Sequence, residues 1–257
     1  MELSQRMQRV ADMVTDSRAV ADIGCDHGYV SIYLVESGRT GHAYAMDVRK
    51  GPLSKAVEHV KQKNLEEQIE CRLSDGLERL APGEADTLIL AGMGGLLRID
   101  ILKRGSSHRR GDEVLILQPQ SDIAAVRRYI YEIGYRIQTE DMLVEDGKYY
   151  TILRAVSRAA EPLGKERQKT AERDETEGKE ALSEVEYQYG PCLLRERHPV
   201  LAEYLEKEQE KLLELEEQLG QQTSDRAVQR IAELRAALEL CKEANAYYEG
   251  ERCDALV

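Results

Sequence analysis

The chain has 257 residues, 42% hydrophobic and 33% charged, with neither Phe nor Trp, so it is long enough to bury a core that Leu, Ile, Val and Tyr must fill. Five scattered cysteines without a CxxC pair argue against a disulfide framework or a zinc knuckle, and the charged N-terminal stripe and short apolar runs argue against a secretory signal or membrane span, which together point to a cytoplasmic protein. A net charge of −12 speaks against a nucleic-acid partner only until it is divided: residues 1–160 hold 22 Lys and Arg against 24 Asp and Glu, whereas residues 161–257 hold 14 against 24.

In chain order, a leading helical stripe precedes apolar runs at 19–24, 42–47, 69–74, 86–91 and 113–118, separated by helical patterns at about 28–37, 52–63, 94–104 and 122–133. That alternation predicts a parallel, doubly wound α/β sheet. Pro52 suits a first helical turn, and Ser121 can cap the helix after the fifth strand. After Gly134 two further strands joined through Glu145, Asp146 and Gly147 predict a hairpin adding an antiparallel edge. The spacing divides the chain into a sheet domain at 1–158, a charged linker at 159–185 and a helical domain at 186–257. In the last, Leu201, Tyr204, Leu212, Leu215 and Leu219 mark one long helix. Val228, Ile231, Leu234, Leu238 and Cys241 mark another, with Ser224 or Asp225 as its cap, so an antiparallel hairpin is expected.

The stretch DIGCDHG, residues 22–28, ends the first strand. Cys25, Asp26 and His27 are adjacent, so their side chains diverge, and no second Cys/His pair completes a metal site. Cys25 beside His27 also lacks the strained elbow of a nucleophile turn. A cofactor loop fits better, with Gly24 and Gly28 permitting a tight turn into a helix. The loop departs from the G-x-G-x-x-G dinucleotide fingerprint, and Asp22 and Asp26 would repel a pyrophosphate but attract an ammonium and a sulfonium. S-adenosyl-L-methionine (SAM) carries both. Asp47 at the second strand end can grip ribose hydroxyls, Asp75 in LSDGL can accept from an adenine amino group, and the Gly-rich turn AGMGG, residues 91–95, lets backbone approach a flat base.

The motifs DIGCDHGYVSIYL, GPLSKA, SDGLERL, AGMGG and LILQPQ, in this order, resemble the bacterial TrmK family. The resemblance covers roughly residues 3–158 and implies a Rossmann-like class I SAM-dependent methyltransferase sheet with an appended coiled-coil-like helical domain. It implies methylation of N1 of the adenine at tRNA position 22, with SAM as cofactor and tRNA as partner. The family's cofactor loop falls on Asp22, Gly24, Asp26, His27 and Gly28, its ribose acid on Asp47, its adenine contact on Asp75 and Gly76, and its catalytic-face turn on Gly92, Met93, Gly94 and Gly95. Among these, Asp26, His27, Met93 and Gly94 are the candidates nearest the chemistry, Asp26 as a carboxylate that favours the cationic product. Gln120 stands in LQPQ where the family more often has Asn.

N1 lies on the Watson–Crick edge, so the target adenine must leave its stack while the tRNA is held by shape and phosphate. The candidate cations are Arg6 and Arg9 on the leading helix, Arg104, Arg109 and Arg110 after the AGMGG helix, and Arg127 and Arg128. A NAD-dependent oxidoreductase, a methyltransferase for another substrate and a scaffold with a vestigial cofactor fold are the alternatives. Cofactor binding and methyl transfer would separate them.

Overall fold

The computed structural model describes residues 3–160, 181–220 and 224–249. Two compact units divide the chain, Met1–Ala181 and Leu182–Val257. Most of the expected linker, residues 161–180, lies outside the described residues, as does the 221–223 connector.

The first unit opens with α1 (Gln5–Asp12), N-capped by Ser4, whose hydroxyl accepts from the Met7 N–H. Then follow β1 (Ser17–Ile23), α2 (Tyr29–Glu36), β2 (Thr40–Asp47), α3 (Lys50–Gln62), β3 (Ile69–Leu73), β4 (Thr87–Met93), α4 (Gly95–Arg104), β5 (Val114–Pro119), α5 (Ile123–Glu132), β6 (Tyr135–Glu145) and β7 (Lys148–Ser157). The seven strands form one sheet in the order β3-β2-β1-β4-β5-β7-β6. Strands β1 to β5 are parallel, and the chain reverses its direction of winding between β1 and β4. This switch point is where ligands sit in open α/β sheets, at the carboxyl ends of the strands.

Period-two alternation separates two cores. Leu88, Leu90, Leu115 and Leu117 face α4 and α5, packing with Leu102, Val126 and Ile130. Ile89 and Ile116 face the other way, against Val10, Val30 and Leu34 of α1 and α2. Each such fully buried side chain contributes about 1.5–3 kcal/mol of transfer free energy. The hairpin forms through a two-residue loop, Asp146–Gly147, with φ of 51° and 71°, the left-handed pair that a type I′ turn requires. Its arrangement refines the expectation: β7 is the strand inserted antiparallel against β5, and β6 becomes the edge.

The Ser121 cap is corrected. Asp122 occupies the N-cap of α5 in the left-handed region, without a side-chain cap bond. The Ser121 hydroxyl instead accepts from the Gly95 N–H at 3.3 Å and donates to Asp122 Oδ2 at 2.7 Å. The two helix starts are packed so closely that a Cβ on Gly95 would stand 2.3 Å from the Ser121 carbonyl oxygen.

The second unit holds α6 (Glu184–Tyr189), α7 (Pro191–Arg195), α8 (Pro199–Gly220) and α9 (Asp225–Glu249). Helices α8 and α9 are antiparallel: Arg235 pairs with Glu216, the Cys241 thiol donates to the Leu205 carbonyl, Asn245 donates to Gln209, and Tyr248 donates to the His198 carbonyl. Ser224, not Asp225, caps α9, its hydroxyl accepting from the Ala227 N–H. Leu234, Leu238 and Cys241 are buried as their spacing predicts, but Val228 is 59% exposed and lies off the seam. The short helices α6 and α7 carry no long apolar period and escaped the pattern. A Ser183/Glu186 capping box starts α6, and Pro191 starts α7.

Candidate functional site

The carboxyl edge of the sheet brings together β1, β2 and β4, and with them most of the residues singled out in the sequence. The loop after β1 has three left-handed residues, Gly24 (φ 76°), Asp26 (φ 53°) and Gly28 (φ 74°). Such a turn keeps the backbone low over the sheet. The N–H groups of Gly24 and Cys25 donate to the Met46 carbonyl, tying the loop to the end of β2.

Asp47, 3% exposed, lies beneath this loop. Its Oδ2 accepts from the Asp26 N–H at 3.2 Å and its Oδ1 from the Arg49 N–H at 2.8 Å. Asp22, 4% exposed, accepts from the Ser31 hydroxyl at 2.9 Å. Burial, offset in part by that bond and reinforced by Asp47, pushes the Asp22 carboxyl up to about 6. Burial and the same acidic neighbours push the Cys25 thiol well above its ordinary range, which disfavours the reactive thiolate. Asp26 is exposed, with its carboxylate 3.8 Å from His27 Nε2 and 3.7 Å from Arg49.

His27 belongs to an aromatic group with Tyr29 and His59, centroids 4.9–6.2 Å apart, and His59 Nδ1 bonds the His27 carbonyl at 3.0 Å. The turn after β4 meets the β1 loop directly. A Cβ on Gly24 would stand 2.8 Å from Met93 Cε, so a glycine there lets the Met93 side chain lie across the loop. Asp22, Gly24, Asp26, Gly28, Asp47, Gly92, Met93 and Gly94 therefore share one edge. Asp75 and Gly76 follow β3 at the same edge but lean on α4. Asp75 is paired with Arg104 through two contacts of 3.2 Å, and a Cβ on Gly76 would meet Ile101.

The cations differ in placement. Arg9 is half exposed, 3.4 Å from Asp141, and Arg128 is exposed. Arg6 is turned inward, its guanidinium between Gln118 at 2.8 Å and Glu145 at 3.4 Å and over the Tyr150 ring. Arg104 is surrounded by Asp75, Glu78 and Asp100, which cancel its charge. Arg127 is corrected outright. It is 1% exposed and bonded to the buried Glu140, so it cannot reach phosphate. Arg109 and Arg110 do follow the AGMGG helix, as expected. Helix α4 runs back along the sheet and delivers them to its amino edge. There Arg110 lies over Gly83, whose carbonyl accepts from Arg18, and Arg109 reaches the Tyr135 hydroxyl and the Leu102 carbonyl. That edge is opposite the site.

Three features were missed. Val48, directly after Asp47, and Leu73, the register partner of Asp47, are 61% and 44% exposed, an apolar margin beside the carboxylate. Arg49 is an exposed cation at the same mouth. Arg98 is completely buried under the Gly-rich turn. Its signal was present: it stands three and four residues before Ile101 and Leu102, a cation in an apolar stripe.

Among the described residues no three His, Cys, Asp or Glu side chains gather to hold a metal, no disulfide forms, and no helix is long and apolar enough to cross a membrane. A family model described as a methyltransferase domain matches residues 3–153. The chain is 33% identical over 244 residues to the tRNA (adenine(22)-N(1))-methyltransferase of Bacillus subtilis, covering 95% of this chain and 97% of that protein. The crystal structure of the B. subtilis m1A22 tRNA methyltransferase TrmK superposes with a TM-score of 0.80 at 32% identity, over 95% of this chain and 98% of that one. A Streptococcus pneumoniae protein solved in complex with S-adenosyl-L-methionine superposes with a TM-score of 0.77 at 30% identity, over 95% and 99%.

Proposed function

The chain belongs to the TrmK family of methyltransferases, and from that premise we propose that it transfers the methyl group of SAM to N1 of the adenine at position 22 of tRNA. The observation that carries this reading is the pair of buried carboxylates, Asp22 and Asp47, at the switch point beside a glycine turn. Two buried carboxylates suit a cationic or multiply donating guest, and SAM offers an ammonium, a sulfonium and ribose hydroxyls. The residues present fit that group: Asp47 would accept from the ribose hydroxyls, Val48 and Leu73 would offer apolar surface to the adenine and Asp75 an acceptor to its amino group, and Asp22 with the 24–28 loop would face the charged end.

When bound, SAM would supply an electrophilic methyl whose C–S bond breaks, leaving a neutral thioether, as the N1 lone pair forms the C–N bond. N1 carries no proton to lose, so no side chain need act as a base. The protein's contribution is alignment in a pocket that excludes water. Gly92, Met93 and Gly94 present backbone and a thioether to the flat base, while Asp26 lies where it can balance the positive charge that the adenine acquires. The His27 carbonyl, bonded to His59 Nδ1, ties the loop to α3. The cytoplasm, where tRNA is modified and thiols stay reduced, is the place for this work.

Incubating the protein with labelled SAM and unmodified tRNA, then digesting to nucleosides, gives labelled 1-methyladenosine. Label in any other product, or none, removes the assignment.

Cofactor binding carries a pH signature. A cation beside Asp22 favours its ionised form and lowers a carboxyl that stands at about 6 in the free protein. Ser31, Asp47 and Asp26 are the other groups acting on it. The bound state thus holds fewer protons, and SAM affinity rises as pH increases from 5 through about 6 and then levels off. Calorimetry near pH 5.5 in two buffers of different ionisation enthalpy will show proton release, and Asp22→Asn will abolish it.

The tRNA footprint follows the carboxyl edge. Arg9→Glu lowers tRNA affinity and reduces the slope of log K against log salt by about one. The double reversal of Arg109 and Arg110 to Glu, at the amino edge, leaves both unchanged in filter-binding titrations.

A further inference from the structure

Arg98 is as buried as any side chain in the domain, at 0% exposure, and the partners of its guanidinium are three main-chain carbonyls. Nε donates to Leu90 O at 2.8 Å, one terminal nitrogen to Met93 O and the other to Gln118 O. These oxygens belong to the end of β4, the glycine turn and the end of β5. A rigid planar fork that engages three such points fixes their relative positions, which a single flexible ammonium cannot do. Withdrawing a full charge from water is costly, and hydrogen bonds from all three guanidinium nitrogens offset part of that cost.

The same turn is held from its other side. The Gln118 side-chain oxygen accepts from the Gly92 N–H at 3.1 Å and from Arg6 at 2.8 Å, and Met93 O also accepts from the Gln120 N–H at 3.2 Å. The Gly92 N–H and the Met93 carbonyl are thereby both committed. Gly92, with φ of 72°, could otherwise sample many conformations.

We propose that Arg98, together with Gln118, is a positioning residue for methyl transfer: it holds the Gly92–Gly94 turn in the one conformation that aligns the target base. The proposal rests on the tRNA methyltransferase reading and adds to it a residue that touches neither substrate nor cofactor. Because Arg98 acts on the turn and not on the Asp47 side of the site, its loss should affect the chemical step more than binding.

The test is Arg98→Lys, which keeps the charge and loses the fork. With folding checked by circular dichroism, SAM and tRNA affinities are measured alongside the single-turnover rate at saturation of both. The expected result is a rate lower by on the order of 100-fold, the cost of a misplacement of about 1 Å, with both affinities little changed. An unchanged rate, or a loss that follows the unfolded fraction or the affinities, overturns the proposal. Should Arg98→Lys fail to fold, Gln118 decides. Gln118→Leu removes the acceptor of the Gly92 N–H and slows the step, whereas Gln118→Glu retains that acceptor and recovers most of the rate. Equal rates for these two variants overturn the proposal. Wild-type protein that binds SAM yet leaves tRNA unmodified would overturn the functional reading and this inference together, whereas active wild type matched by Arg98→Lys would overturn this inference alone.

Discussion

Arg127→Met destabilises the methyltransferase domain by about 3–5 kcal/mol, measured by urea unfolding followed by circular dichroism. Arg127 Nε donates to Glu140 Oε1 at 2.9 Å, and the two side chains are 1% and 0% exposed. Methionine fills similar volume but leaves the Glu140 carboxylate in a dry interior with its main counter-charge gone. The size of the effect reflects that stranded anion more than the net worth of the pair. The double variant Arg127→Met/Glu140→Leu therefore recovers much of the loss, since it removes the carboxylate together with its counter-charge. If the double variant is as unstable as the single one, packing rather than charge accounts for the site. Neither variant should change the affinity of the remaining folded protein for tRNA, because Arg127 does not reach the surface.

Asp47→Asn weakens SAM binding by about 2–3 kcal/mol, on the order of 100-fold, measured by calorimetry at pH 7.5. The substitution preserves shape and removes charge. In the free protein both carboxylate oxygens already accept backbone N–H groups, from Asp26 and Arg49. An amide can satisfy only one of these donors and turns its own NH2 toward the other, so the loop over the site is disturbed as well as the ribose contact. Asp75→Asn, at a residue half exposed and already neutralised by Arg104, has a much smaller effect. An Asp47→Asn protein with unaltered SAM affinity would remove Asp47 from the cofactor site.

The cations were the part of the site least legible in the sequence, and the reason is geometric. Arg6, Arg9, Arg104, Arg109, Arg110, Arg127 and Arg128 all count equally as positive charge along the chain. Their value depends on which end of the sheet they reach and what lies opposite. Arg127 meets Glu140, thirteen residues away and on the neighbouring edge strand, and Arg104 meets Asp75, twenty-nine residues away. Arg109 and Arg110 follow the AGMGG motif closely in sequence, yet a ten-residue helix carries them to the far edge. The Ser121 cap failed for a related reason. Its hydroxyl is drawn to the Gly95 N–H, a partner twenty-six residues distant.

The sequence by itself determined the strand and helix order, the parallel class of the sheet, the hairpin turn and the acidic or glycine-rich character of four strand ends. These are set by local period, by the φ preferences of Gly, Asp and Pro, and by chain connectivity, all readable within a window of a dozen residues. Only the tertiary structure decided that Met93 lies across Gly24, that Asp22 and Asp47 lose their water together, that Arg127 is buried against Glu140, and that Arg98 clasps three carbonyls beneath the turn. Such facts depend on which distant groups share a low-dielectric space, and charge in that space is governed by burial and partner rather than by residue type.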